Sequence, residues 1–192
     1  AYERLKKCRE ERESLMEGRQ LSTIYENVHG IANSVTIDLL FEEAEALENQ
    51  FLDMLSIYKH ALEGCIILYR ETGEKTIECK LQIVTCIQLY RKEHDCLPPD
   101  IKQDEVIDRL EDIFTHSHAH PLYGTYITVM LCDEYIHTGK KARAIEVFQL
   151  WAREHPLNLQ SDLEVFNAWI EYSNLLGELG FYKQSLDNVK KI

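Results

Sequence analysis

Turn-forming residues are scarce in this chain, with 8 glycines and 4 prolines among 192 residues. An all-β fold needs a turn signal about every 8–12 residues, so the composition excludes one. No uninterrupted apolar run approaches the roughly 18–20 residues of a membrane span, and no membrane partner is expected. Positive charge is short as well: 21 Lys and Arg face 33 Asp and Glu, a net charge of −12. That deficit counts against direct nucleic-acid binding, which needs a basic stripe along the phosphates. Signatures of nucleotide, hydrolase and zinc-protease chemistry are missing. There is no G-x-x-x-x-G-K, no G-x-G-x-x-G, no G-x-S-x-G and no H-E-x-x-H. Neither catalysis nor a cofactor is expected.

What is present is apolar periodicity. Hydrophobic residues make up 45% of the chain, too many for disorder and enough for one sizeable domain or four to six stacked helical hairpins. The six cysteines, Cys8, Cys65, Cys79, Cys86, Cys96 and Cys132, form no C-x-x-C pair, and several fall inside apolar helical runs. They read as small buried hydrophobes, with reduced thiols, in a protein of the cytoplasm or nucleus. The chain opens at Ala1 and stops straight after a helical pattern, which reads as a piece of a longer protein.

Helical spacing runs almost throughout. Tyr2 to Gly18, dense in alternating charge, predicts a solvated helix with a thin stripe of Leu5, Cys8, Leu15 and Met16. Leu21 to Val35 predicts a second helix that tolerates Gly30. Ser34 and Thr36 are candidate N-caps for the longest stripe, Leu40 to Tyr69, which is either one helix or two with a hidden break, closed by the Gly73 turn. Ile77 to Tyr90 is apolar on more than one face, as in a helix surrounded by others. Leu97-Pro98-Pro99-Asp100 is the clearest stop. A short helix over Val106–Phe114 follows, and Pro121 stands where a helix would start. Residues 122–138 and 141–155 then flank Gly139, and 163–179 and 182–191 flank Gly180, with Ser161 to Glu164 as a capping box. The expected organisation is helical hairpins over 1–97, a Pro- and His-containing connection over 98–121, and two further hairpins over 122–192.

These last two hairpins carry a recurrent pattern. Tyr135, Gly139, Ala144, Phe148 and Pro156 mark the first; Trp169, Tyr172 and Gly180 mark the second. Ala lets two helices approach, the aromatics fill the gap to the next hairpin, Gly permits the turn and Pro ends the helix. In this the chain resembles the tetratricopeptide-repeat superfamily, including its half-a-tetratricopeptide and pentatricopeptide relatives. The two glycines lie 41 positions apart, nearer the half-a-tetratricopeptide length than the roughly 34 residues of a strict tetratricopeptide repeat. Ser185 stands where Ala144's counterpart belongs. The resemblance implies an all-α fold of antiparallel hairpins stacked as a short α-solenoid, irregular in its N-terminal half.

It also implies a function. Stacked hairpins line up the first helix of each pair along one surface, and by analogy that surface carries Tyr126, Asp133 and His137, then Asn167, Asn174 and Glu178. The expectation is a non-enzymatic scaffold or adaptor that binds a basic or helical segment of a protein partner. The charged first helix and the Leu40–Tyr69 stripe offer a second helical interface. The alternative is a half-a-tetratricopeptide or pentatricopeptide-like module in an RNA-processing complex. Its basic clusters, Arg4/Lys6/Lys7/Arg9/Arg12 and Lys140/Lys141/Arg143, lack the interleaved aromatics of a nucleic-acid groove. His116, His118 and His120, with His94 and Cys96 from an earlier loop, are metal candidates by residue type. No strand carries them and no partnered carboxylate follows, so residues 115–121 read as a polar interhelical loop, with no metal. Nothing in the sequence sets the oligomeric state.

Overall fold

The computed structural model describes residues 21–118, 120, 123–157 and 163–190. Among them are nine helices and no strand. The chain divides into two compact units, residues 1–102 and 103–192. The predicted helix over 2–18, its basic cluster, Pro121 and the first half of the capping box lie outside the described residues.

In the first unit, α1 (described over residues 21–29) and α2 (Ser34–Glu45) are separate helices. The expected continuous helix through Gly30 is therefore corrected. Gly30 turns at φ 79°, a region that costs other residues about 1–2 kcal/mol. The cap is also earlier than either candidate, one residue before Ser34 and three before Thr36: the Asn33 carboxamide oxygen accepts from the Val35 and Thr36 amides at 3.0 and 3.4 Å, which satisfies two orphan donors of the first turn. Thr36 instead donates its hydroxyl to the Gly30 carbonyl at 3.1 Å.

The long apolar stripe is two helices, α2 and α3 (Phe51–Tyr69), broken at residues 46–50. Glu48 takes positive φ there, while Leu47 stays 4% exposed inside the turn. The turn thus keeps burying residues at helical intervals, which is why periodicity alone cannot locate it. Arg70, with φ 66°, closes α3, so Gly73 is not its terminator. Gly73 has extended backbone and stands at the N-cap of α4 (Glu74–His94). Helix α3 packs between α2 and α4. The core joins Ile37, Leu40, Phe41 and Ala44 to Tyr58, Ala61 and Cys65, and then to Cys79, Ile83, Val84, Cys86 and Ile87.

In the second unit, α5 (Gln103–Ser117) packs on α6 (Gly124–His137), which pairs with α7 (Lys141–Glu154); α8 (Leu163–Glu178) pairs with α9 (Tyr182–Val189) and touches α6 and α7. Gly139 and Gly180 turn both hairpins at φ 76° and 85°. Ala144, fully buried, allows close approach in the first, where the Cys132 thiol reaches the Ala144 carbonyl at 3.4 Å. In the second, Ser185 faces Gly177, whose Cβ position lies 3.5 Å from the Ser185 hydroxyl oxygen. A pair of small residues there does what Ala144 does in its neighbour. Between the hairpins Phe148 stacks on Tyr172 at 5.3 Å between ring centres, and Trp151 lies 5.9 Å from Trp169.

Candidate functional site

The first helices of the two hairpins, α6 and α8, lie side by side. Residues of one helix face recur at steps of three and four, so inward residues such as Leu131, Tyr135, Tyr172 and Leu176 alternate with outward ones. All six partner-binding candidates, Tyr126, Asp133, His137, Asn167, Asn174 and Glu178, are on the exposed side. Three of them, Asp133, Asn174 and Glu178, line one groove of about 160 Å³, with Glu171 beside them and Ile136, Phe148 and Leu175 as its apolar lining. Tyr126, His137 and Asn167 are not among its lining residues.

The groove is electronegative. Partial desolvation at the groove wall first, and the neighbouring Asp133 second, push the carboxyl of the otherwise exposed Glu171 upward from its ordinary value. Beneath them the Cys132 thiol is raised too, chiefly by burial and further by the same two carboxylates. At the rim, the Lys141 ammonium donates to Glu178 at 2.8 Å. Glu171 escaped the sequence analysis although the signal was available: with Asn167, Asn174 and Glu178 it completes a four–three–four spacing on one helix face.

The remaining basic patch is locally neutralised. Lys140 lies 3.8 Å from Asp104, and Arg143 donates to Glu146 at 2.6 Å. The expected loop over residues 115–121 is corrected at its start, because Thr115, His116 and Ser117 are the last residues of α5. A turn of helix points these side chains in different directions, whereas alternating histidines converge only on extended backbone. The His116 and His118 rings hydrogen-bond back to the carbonyls of Asp112 and Phe114 at 2.8 and 3.0 Å, and His120 stacks on Tyr123. Among the described residues no group of three or more His, Cys, Asp or Glu is arranged to hold a metal ion. None of their helices is long and apolar enough to cross a membrane.

The first unit has a depression of its own, about 320 Å³, between the start of α3 and the end of α4. Asn49, Gln50 and Asp53 line it together with Tyr90 and His94, whose rings lie 4.3 Å apart. None of the partner-binding candidates belongs to it.

The architecture is shared with known helical-repeat structures. The nearly identical TPR-like repeats of a Podosopora anserina protein described as a kinesin light chain match with a TM-score of 0.68 at 11% identity, over 98% of this chain and 88% of that one. A single-substitution variant of the same protein gives a TM-score of 0.69 over the same shares. No family model matches the sequence, and the curated proteins contain no match. The chain shares the all-α, antiparallel-hairpin fold of these TPR-like repeat structures.

Proposed function

We propose that the chain is a non-enzymatic protein-interaction module of a larger assembly, and that its α6–α8 face docks a basic segment of a partner protein. The observation that carries this reading is the groove between those helices. Carboxylates of Asp133 and Glu171 meet over an apolar lining, so a lysine or arginine can place its stem on Ile136 and Leu175 and its charge between the acids. Opposite charge steers such a partner and rejects acidic ones. The amide of Asn174 offers both donors and acceptors to a peptide backbone. A surplus of carboxylates is equally unsuited to tracking phosphates, and the basic side chains at the hairpin turn are already paired with Asp104, Glu146 and Glu178. Those contacts count against the RNA-handling alternative.

The test compares the wild-type chain with an Asp133→Lys, Glu171→Lys double variant as bait in cell lysate, with and without nuclease. Both sites are exposed, so the variant keeps its fold, which circular dichroism verifies. A discrete set of proteins should be held by the wild type, lost from the variant and indifferent to nuclease. Equal capture by the variant would sink the groove as the docking site. Capture that disappears with nuclease would transfer the role to RNA.

A further inference from the structure

We infer that the depression between the start of α3 and the end of α4 is a binding site for a guanidinium group, carried by an arginine of a peptide partner. Its volume of about 320 Å³ is near the lower end of the sizes that take a small ligand, with room for one long side chain. Asp53 is the one carboxylate among the lining residues, and no lysine or arginine lines the site. Among the described residues this carboxylate is paired with no cation. Asp53 stands in the first turn of α3, where its charge suits the positive end of the helix dipole. That role needs no cation and leaves acceptor oxygens open. It also cancels the affinity for anions that a helix N-terminus otherwise has.

Helix α4 contributes an aromatic wall. Tyr90 and His94, one turn apart, hold their ring centres 4.3 Å from each other with planes inclined at 46°. The contact restrains the half-buried Tyr90 ring before a ligand arrives, which lowers the ordering cost of binding. A guanidinium is planar and weakly hydrated, so it stacks on such a ring while its edge forks to a carboxylate. An ammonium is a compact, strongly hydrated charge that matches neither the ring plane nor the fork. Leu52, 47% exposed, and the buried Phe51 offer apolar surface to the methylene stem. Gln50, the N-cap of α3, makes no side-chain capping bond. Its carboxamide oxygen, with that of Asn49, can accept the N–H groups that the fork leaves over. The site belongs to the first unit and shares no lining residue with the α6–α8 groove, so it stands whether or not that groove docks a partner.

The experiment titrates the chain with N-acetyl-L-arginine N-methylamide and follows backbone amides in proton–nitrogen correlation spectra. Saturable shifts should appear at residues 49–53 and 90–94, with a Kd in the millimolar range, and residue-resolved spectra separate them from any at α6 and α8. The lysine analogue should bind about two- to fivefold more weakly, and the citrulline analogue, of the same shape without the charge, should give no saturable shift. Asp53→Asn should weaken the arginine probe about two- to fivefold. Tyr90→Leu should do the same, while Tyr90→Phe keeps the ring and the affinity. If Tyr90→Leu unfolds, the three probes on the wild-type chain still decide. Lysine or citrulline probes that bind as tightly as arginine, or an arginine titration that leaves residues 49–53 and 90–94 unmoved, would overturn the proposal.

Discussion

The Trp169 indole N–H donates to the backbone carbonyl of His155 at 3.1 Å. The donor belongs to the first helix of one hairpin and the acceptor caps the second helix of the hairpin before it. A helix C-terminus leaves carbonyls without partners, and this indole satisfies one of them across the junction. The His155 ring is used as well. It stacks on Trp151, itself fully buried, and its Nε2 lies 2.9 Å from the His118 carbonyl. One residue thus joins α7 to the start of the next hairpin and to the end of α5.

Replacing Trp169 separates the hydrogen bond from the packing. Trp169→Phe keeps most of the aromatic contact with Trp151 and Tyr172 but leaves the carbonyl to water, a cost of about 1 kcal/mol. Trp169→Ala empties a 5%-exposed site and should cost about 3–5 kcal/mol. Urea unfolding of the three proteins at constant m-value measures both steps, and equal midpoints would deny the junction its role.

Gly64 is a sharper test of local packing. A Cβ there would stand 2.4 Å from the backbone oxygen of Ile31, so the segment after α1 must move away from α3. Gly64→Ala should cost about 1–3 kcal/mol, against the helix-propensity gain of about 1 kcal/mol that Ala brings at an unhindered helical site. Gly139→Ala meets no atom within 4 Å but sits at φ 76°, so its cost is backbone strain of about 1–2 kcal/mol. Thermal melts that found Gly64→Ala stabilising would refute the close approach.

The hairpins of the second unit were legible because their turns require glycine and their contacts require aromatic or small residues, and Gly139, Ala144, Phe148 and Trp169 say so by type. The break between α2 and α3 was not legible. It uses Glu48 instead of glycine at positive φ, and buried Leu47 continues the apolar rhythm through the turn. Trp151 and His155 escaped for another reason: their partners, Thr125 and His118, are distant in sequence. Side-chain spacing on one helix placed Asp133, Asn174 and Glu178 on exposed faces. Only the packing of α6 on α8 brings these three to one groove with Glu171, a relation between helices that no single stretch of sequence records.

The Asn33 cap gives a prediction confined to one helix end. Asn33→Ala removes the acceptor for the Val35 and Thr36 amides and should cost about 1 kcal/mol. Asn33→Asp keeps an acceptor, and its negative charge suits the positive end of the helix dipole, so stability should be kept. Urea midpoints of the two variants decide, and an equal loss in both would mean that the side chain does not cap α2.

Glu171 connects groove and stability through pH. Its carboxyl is raised in the folded chain by burial and by Asp133, so the folded state holds its proton more tightly than the unfolded chain does. A raised acid destabilises the fold above its folded pKa, where it is charged in both states, and the penalty disappears below the unfolded value of about 4.3. Glu171→Gln should therefore stabilise the chain at pH 7, and the advantage over wild type should shrink as pH falls through the carboxylate range. Exposure of the side chain to solvent keeps the gain below about 1 kcal/mol. Binding of a basic partner should move the opposite way, since Glu171→Gln removes a carboxylate from the docking groove and weakens attraction at low salt. Calorimetric titration and thermal melts over pH 4–7 follow the two quantities in the same samples. A variant that gained stability at pH 7 while losing affinity would identify Glu171 as a residue kept at the expense of the fold, whereas a pH-independent difference in Tm would remove the electrostatic argument for the groove.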